Sequence, residues 1–558
     1  MTRIRIGTDN FKSLRDEDGY FVDKSMLVRE VLDGNKCVLL PRPRRFGKTL
    51  NLSMLRYFFS ATHADERGLF EDLAIAQDEE AMSHQGGYPV IHISLKSIRG
   101  GPWELAHAKL ADRIATLFDE HHDVVQSLGQ ADRETFERVS ARSADLAELQ
   151  SSLAKLITWL HKHHNKPVIV LIDEYDTPII EGWSKGYYDS MMEFMRAWLG
   201  EGLKHEEGDA LFRAVVTGIL RVGKESIFSG LNNLETWSML SPGRFASSFG
   251  FTQSEVDALA DDFGVSDASD PIREWYNGYS FGGTTIYNPW SVLNFVNRYP
   301  EPACAYWLNT ASNELVYEEL ENGGLDLKRD LEKLIVGDTV RYPLIESIAF
   351  SDIGKSRNNI WSFLYFSGYL RAEAPEVDFR GQATYALSIP NREIFAAYQR
   401  FVEIPFMDSR DCDMESFLEW FLEGQPASEL QRILRGLVTP LVSVHDLARQ
   451  PEAVFHAFML GLLANLRRVY EIRSNAEAGY GRADIMLCPK TTEYPFGYVI
   501  EFKSIGSDSD VDATLTQALY QIDDKAYAIQ LRESGVEESK LKRLAIVLQG
   551  KFVYIREA

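Results

Sequence analysis

Cysteine is scarce in this chain: four in 558 residues, Cys37, Cys304, Cys412 and Cys488, far apart and without a CxxC pair. That spacing excludes a paired-cysteine zinc site and a disulfide-stapled secreted framework, and it fits a reducing cytoplasm. Long hydrophobic runs are missing too. The most apolar stretch, around Phe455–Leu463, is too short to span a bilayer, and the opening MTRIRIGTDNFKSL lacks the apolar core of a signal peptide, so no membrane association is expected. There is no low-complexity block and no internal repeat. Positive charge is outweighed, with 59 Lys and Arg against 82 Asp and Glu and a formal charge of −23. Such a balance opposes polyanions over the surface as a whole, so contact with nucleic acid needs a local basic patch or bound cations.

What is present is ordinary globular material, 45% hydrophobic and 25% charged, at a length that implies about two to four domains. Residues 36–41, 89–95, 167–172 and 212–217 are short apolar runs rich in β-branched residues, separated by long stretches of helical character. That alternation predicts an α/β domain with buried parallel strands over residues 1–240, with an inserted helical layer at 100–165. Thr252 and Glu255 form a capping-box pattern that opens a helix, and WYNGYSF (275–281) and YNPW (287–290) predict turns and short strands, so 241–325 is expected to be a small lid. Residues 326–445 are mostly amphipathic helix by pattern, a connecting domain. The remainder, 446–558, predicts a second α/β module: an apolar helix (453–466), strands near 483–488 and 497–503, a helix at 515–530 and a strand pair at 544–548 and 552–556.

In the first domain an apolar strand runs into Pro41-Arg42-Pro43-Arg44-Arg45-Phe46-Gly47-Lys48-Thr49 and then into a helix. This is the context of a Walker A loop. Backbone N–H groups and the helix N-terminus face phosphates, Lys48 reaches the β and γ oxygens, and Thr49 ligates Mg²⁺, although Arg42 stands where the first glycine of the motif is expected. A second strand, VIVLI, ends in Asp173-Glu174 as a Walker B motif does, with Asp173 holding Mg²⁺ and Glu174 polarising the attacking water. Two motifs in the right order at predicted strand ends point to ATP binding. A third strand ends in Thr217-Gly218-Ile219-Leu220-Arg221: Thr217 stands where a sensor of the γ-phosphate sits, and Arg221 is a candidate for neutralising charge in its own or a neighbouring subunit. A strand-end hydroxyl and a surface arginine account for both equally well.

The last module carries a second constellation. Asp484 lies on one strand, and Tyr498-Val499-Ile500-Glu501-Phe502-Lys503 forms the next. Alternate residues of a strand share a face, so Glu501 and Lys503 fall together and Asp484 can join them. Two carboxylates for Mg²⁺ or Mn²⁺ and a cation beside them are the parts of a metal-dependent phosphodiesterase. A solvated Glu-x-Lys face is the common alternative, but the run GYVIEF is too apolar for an exposed strand. Gln521, on the following helix, is a candidate for orienting water or phosphate.

With these residues assembled, the chain resembles bacterial and archaeal proteins that join an AAA-ATPase-like domain to a C-terminal PD-(D/E)XK nuclease domain. The resemblance rests on YFVDKS (20–25), RPRRFGKTLNLSML (42–55), IDEYD (172–176), TGILR (217–221), FSGLNN (228–233) and YNPWS (287–291), together with FHAFMLGLL (455–463), GYGRAD (479–484) and VIEFK (499–503). It implies an ATPase of the broad AAA/STAND type with a DNA nuclease as effector, working as a homo-oligomer against foreign DNA or in mobile-element biology, with a protein or phage-derived trigger. Arg42 and Arg45 beside the loop are expected at phosphates or at a neighbouring subunit. A STAND-type signalling scaffold whose last domain binds DNA or protein without cleaving is the alternative, and RNA is an alternative substrate.

Overall fold

The computed structural model describes residues 2–204, 209–222, 227, 233–307, 325–348, 357–403, 414–441, 455–456, 459–460, 462–478, 481–506, 509–524, 527, 529–550 and 552–558. The chain divides into two compact units, Met1–Leu315 with Arg341–Glu393, and Val316–Val340 with Ile394–Ala558. Among the described residues no helix is long and apolar enough to cross a membrane.

In the first unit the strands are β1 (Cys37–Pro41), β2 (Val90–Ser94), β3 (Val168–Asp173), β4 (Leu211–Gly218), β5 (Arg221–Val222) and β6 (Leu234–Thr236). Five of them form one sheet in the order β2-β3-β4-β1-β6, every neighbouring pair parallel. All residues of β1 and β3 are buried, because helices cover both faces of such a sheet and each strand then needs an unbroken apolar run. The apolar runs in the sequence are these strands. Between β2 and β3 the inserted layer consists of helices Trp103–Glu120, Gln130–Ser140 and Leu146–His164. The last starts from a full capping box, Asp145 with Glu148.

Helices Gln253–Asp262, Ser269–Tyr276 and Pro289–Arg298 follow, with the hairpin β7 (Tyr279–Phe281) and β8 (Thr284–Ile286). The Thr252–Glu255 capping box forms as the sequence predicts. These elements build their own core around Leu259, Ile272, Tyr276, Tyr287 and Phe295, against which Ile4, Tyr20 and Val22 from the start of the chain pack. In WYNGYSF, Gly278 has φ of +96°, and a Cβ there would sit 2.1 Å from the Pro390 carbonyl oxygen, so only glycine fits.

The stretch from 326 to 445, helical by pattern, holds helices at Leu325–Val336, Arg357–Phe366, Arg392–Glu403, Met414–Glu423 and Ala427–Leu441, but also strands β9 (Val340–Tyr342), β10 (Ser347–Ile348), β11 (Arg371–Ala372), β12 (Glu376–Val377) and β13 (Ala383–Ser388). Most of these strands are two or three residues long, too short to carry a periodicity in the sequence.

Glu393 is fully buried in the first unit and accepts hydrogen bonds from the Ser291 hydroxyl and from the backbone N–H groups of Tyr306 and Trp307, at 2.7–2.9 Å. Burial is the main influence and pushes its carboxyl from 4.5 up to about 7, with the three donors opposing. The folded chain therefore holds this proton more tightly than the unfolded chain. The resulting stabilisation is complete below the unfolded value and is lost as pH rises through 7, a difference of about 3 kcal/mol by pH 8. Glu393→Gln keeps an acceptor for the two N–H groups and never ionises, so its thermal unfolding should lack this alkaline loss and overtake wild type between pH 5 and 8. Parallel stability profiles for the two proteins would refute the assignment.

In the second unit β14 (Tyr470–Ala478), β15 (Gly481–Pro489), β16 (Gly497–Ile505), β17 (Leu541–Gln549) and β18 (Phe552–Glu557) form a mixed sheet in sequence order; β16 and β17 are parallel and the other pairs antiparallel. Parallel neighbours need a crossover, which contains helix Val511–Asp524. One face buries Tyr498, Ile500, Phe502, Leu544 and Ile546 against Trp420, Phe421 and Ile433. The other carries Met486, Val499, Ala545 and Val547 under Leu515, Ala518 and Ile522. Of the apolar helix expected at 453–466, residues 453, 454, 457, 458 and 461 lie outside the described residues, as do most of FSGLNN and the first two residues of GYGRAD.

Candidate functional site

The C-terminal ends of β1, β3 and β4 emerge on one edge of the parallel sheet, β4 lying between the other two. The loop after β1 turns through Arg45 and Gly47, at φ +70° and +83°, into helix Lys48–Phe59. A left-handed residue just before the helix suits glycine and aims the first helical N–H groups back across the loop. Lys48 is buried, its Nζ donating to the carbonyls of Arg42 and Pro43 at 2.9 Å each. Burial pushes the Lys48 ammonium down from its ordinary value, and the nearby Glu174, Asp173 and Asp176 oppose the change. The structure thus holds a lysine across the loop with its charge poorly solvated, an arrangement that favours an anion beside it.

Asp173, fully buried at the end of β3, joins the motifs. It accepts from Thr49 Oγ1 and from Thr217 Oγ1, both at 2.7 Å. Burial raises its carboxyl and the two threonine donors oppose that rise. The predicted trio Thr49, Asp173 and Thr217 is therefore one hydrogen-bonded set on three elements. A hard cation bound by oxygen ligands fits this donor set. Glu174 follows with φ of +51°, a strained conformation for a non-glycine residue. It accepts from Thr177 Oγ1 at 3.1 Å and pairs with Arg99 at 3.5 Å.

A cavity of about 360 Å³ opens over the loop. Seven lysines and arginines line it against two carboxylates, Asp9 and Glu174, in a chain that is strongly acidic overall. Its apolar wall comes from Ile6, Phe21, Val22, Phe46, Phe251 and Trp290. A cationic floor with an apolar wall matches a nucleotide, phosphates at one end and base at the other.

One expectation changes. Arg42, expected at a phosphate or at a neighbouring subunit, is only 1% exposed and outside the cavity wall. It donates to the carbonyls of Pro41, Trp237 and Phe245 and lies against the rings of Phe249 and Phe281. It binds the chain to itself; with its donors aimed at carbonyls and rings it has no route to a phosphate. Arg221, on β5 beside β10, also lies outside the wall. Arg45 does line the cavity, its guanidinium 4.0 Å from the Trp290 ring centre.

Residues that the sequence reading passed over are Lys24, Trp290 and Asp176. Lys24 lines the cavity while its Nζ bonds both Glu255 oxygens at 2.6 Å and the Ser247 carbonyl at 2.8 Å, tying YFVDKS to the capping box. Asp176 is buried, receives the N–H groups of Ile219 and Leu220 at 2.7 and 2.9 Å, and is pushed up to about 6 by burial. The second aspartate of IDEYD and the lysine of YFVDKS were visible signals, since neither a buried aspartate nor a buried lysine is stable without partners.

In the second unit, the β15–β16 ladder runs from Leu487 opposite Tyr498 to Ile485 opposite Ile500. One step further the Phe502 N–H is bonded not to backbone but to Asp484 Oδ2 at 2.8 Å. The Asp484 side chain thus enters where the ladder stops, next to Glu501. Glu501 is 1% exposed, and its Oε1 lies 2.7 Å from Lys503 Nζ. Both stand on the sheet face carrying helix Val511–Asp524, since the odd-numbered neighbour Val499 belongs to that side and Phe502 to the other. Gln521, on that helix, donates to the Tyr527 hydroxyl at 3.3 Å. His456, which the sequence reading passed over, has Nε2 2.9 Å from the Asp484 carbonyl and its ring edge-on to Phe502. Two carboxylates at one splayed strand end, one of them beside a lysine, suit a divalent cation facing phosphate.

Residues 5–228 match a family model described as a predicted AAA-ATPase, and residues 450–558 match one of the PD-(D/E)XK nuclease superfamily. The whole chain is similar to the uncharacterized protein in vnfD 5'region of Azotobacter chroococcum mcd 1, at 26% identity over 548 residues that cover 96% of this chain and 94% of that protein. Strands β1 to β4 with the Lys48 loop lie within the first segment and the mixed sheet with Asp484, Glu501 and Lys503 within the second, and the chain joins an AAA-ATPase-like domain to a PD-(D/E)XK nuclease superfamily domain.

Proposed function

We propose that this protein is an ATP-controlled, Mg²⁺-dependent DNA nuclease. In the first unit Lys48 and the N–H groups following Gly47 bind the β and γ phosphates. Thr49 and Asp173 hold Mg²⁺, Thr217 fixes the Asp173 carboxylate, and Glu174 orients the attacking water. Arg45 and Trp290 close the cavity beside the nucleotide. Arg221, outside that cavity, is assigned to the nucleotide of a neighbouring copy in a homo-oligomer. In the second unit Asp484 and Glu501 hold Mg²⁺ or Mn²⁺, Lys503 stabilises the charge that develops on the scissile phosphate, and Gln521 orients water. Nucleotide state governs cleavage, an arrangement suited to defence against foreign DNA.

The observation that carries this reading is the set Asp484, Glu501 and Lys503 gathered where the β15–β16 ladder ends. It sits in the same chain as a Walker-type set whose Thr49, Asp173 and Thr217 are already bonded together. The test is incubation of the purified chain with linear, nicked and single-stranded DNA and with RNA, in Mg²⁺ or Mn²⁺, with and without ATP. Metal-dependent loss of DNA that changes with ATP is expected. No degradation of any DNA under these conditions rejects the reading, and preferential loss of RNA transfers it to that substrate.

The formal charge of −23 favours a second reading, a STAND-type scaffold whose last domain binds without cutting. It is distinguished by a cellular toxicity or phage-restriction assay, in which Glu501→Ala leaves a scaffold phenotype unchanged and removes a nuclease phenotype.

A further inference from the structure

Five of the twelve histidines fall in two short segments, His121 and His122, and His161, His163 and His164. The fold brings these segments together. The turn His122–Ser127 follows helix Trp103–Glu120, and His163 and His164 end helix Leu146–His164, which leads directly into β3 and Asp173. Asp123 Oδ2 lies 3.6 Å from His163 Nε2 and 3.4 Å from His164 Nε2. All three ligand atoms are within 4.8 Å of one another. A tetrahedral ion bound at about 2.1 Å keeps its ligands about 3.4 Å apart, so the three atoms already stand near coordination spacing.

The surroundings fit the same use. His163 Nδ1 is 3.0 Å from Ser127 Oγ, a bond that orients the ring and leaves Nε2 toward Asp123, as a metal-binding imidazole requires. The His163 and His164 rings meet at 88°, with centres 4.7 Å apart, and so present their nitrogens from two directions rather than stacking. The simpler reading is an ion pair of Asp123 with protonated imidazoles. Its contacts, at 3.6 and 3.4 Å, are longer than the roughly 2.7–2.9 Å of a charge-assisted hydrogen bond. His121 also keeps a buried Nε2 with no hydrogen-bond partner among the described residues.

We propose that Asp123, His163 and His164 bind one divalent transition-metal ion, which ties the turn after one helix of the inserted layer to the end of another. Two imidazoles and one carboxylate select zinc-like ions over Mg²⁺ and Ca²⁺, which take oxygen ligands. The site is thus separate in chemistry and place from the two proposed Mg²⁺ sites. Three protein ligands leave a position for water.

The test is calorimetric titration of Zn²⁺ into the full chain under excess Mg²⁺, comparing wild type with His163→Ala/His164→Ala and with Asp123→Asn. Thermal melts of each protein are recorded with and without Zn²⁺. Wild type is expected to take one equivalent more than the double variant at micromolar affinity, and its melting temperature is expected to rise by about 2 °C or more where the double variant's does not. Asp123→Asn keeps both imidazoles and is expected to weaken the same equivalent, which preserves the test if the double variant does not fold. Equal stoichiometry and equal melting shifts in wild type and variants, or no uptake by wild type below about 100 µM Zn²⁺, overturn the proposal.

Discussion

Lys48→Ala is expected to lower ATP affinity by on the order of a hundredfold or more in calorimetric titration, the loss that follows when one partner of a buried, charge-assisted contact is removed. Three of the other cations around the cavity are engaged elsewhere. Arg45 lies over Trp290, Arg99 faces Glu174 and Lys24 is held by Glu255. Lys48 is held across the loop at Arg42 and Pro43, in a site where burial disfavours its charge and an arriving phosphate relieves that penalty. Because its two bonds go to carbonyls of its own loop, the alanine variant should fold with its sheet intact. Unchanged ATP affinity in a folded Lys48→Ala protein would remove Lys48 from the phosphate site.

The second large effect is expected at the other end of the chain. Glu501→Gln should reduce metal-dependent cleavage by about a thousandfold, and Lys503→Ala by about a hundredfold or more. Glutamine preserves the shape of a side chain that is 1% exposed, but removes the charge that a cation needs and that Lys503 now faces at 2.7 Å. Single-turnover cleavage rates over a range of Mg²⁺ separate the two roles. Glu501→Gln should raise the metal requirement, whereas Lys503→Ala should lower the rate at saturating metal. Wild-type rates in both variants would reduce the pair to a structural salt bridge.

Much of the ATPase-like unit was legible because its signals are local. Runs such as VIVLI can only be buried strands, the Thr252 and Glu255 pair names its own helix start, and Thr217 follows from its place at the end of β4. Arg42 was misread for a physical reason. An arginine inside a phosphate loop looks like a phosphate ligand until the fold brings the carbonyls of Trp237 and Phe245 to it from two hundred residues away. Most of the strands between 340 and 388 escaped because two or three residues show no alternation. β14, YEIRSNAEA, escaped because it is a polar edge strand whose identity depends on its pairing with β15. In the nuclease-like unit the spacing of Glu501 and Lys503 fixed their shared face, but that Asp484 takes the Phe502 N–H, and that His456 takes the Asp484 carbonyl, are consequences of packing that no single segment encodes.

The central claim, one chain with a nucleotide site that governs a metal-dependent nuclease site, is tested most directly by one comparison. DNA degradation is measured in Mg²⁺ with and without ATP for wild type, Lys48→Ala and Glu501→Gln. Wild type is predicted to cleave at a rate that ATP changes, Lys48→Ala to cleave without responding to ATP, and Glu501→Gln to leave DNA intact in both conditions. Cleavage by Glu501→Gln at the wild-type rate, or an ATP response that survives in Lys48→Ala, would contradict it.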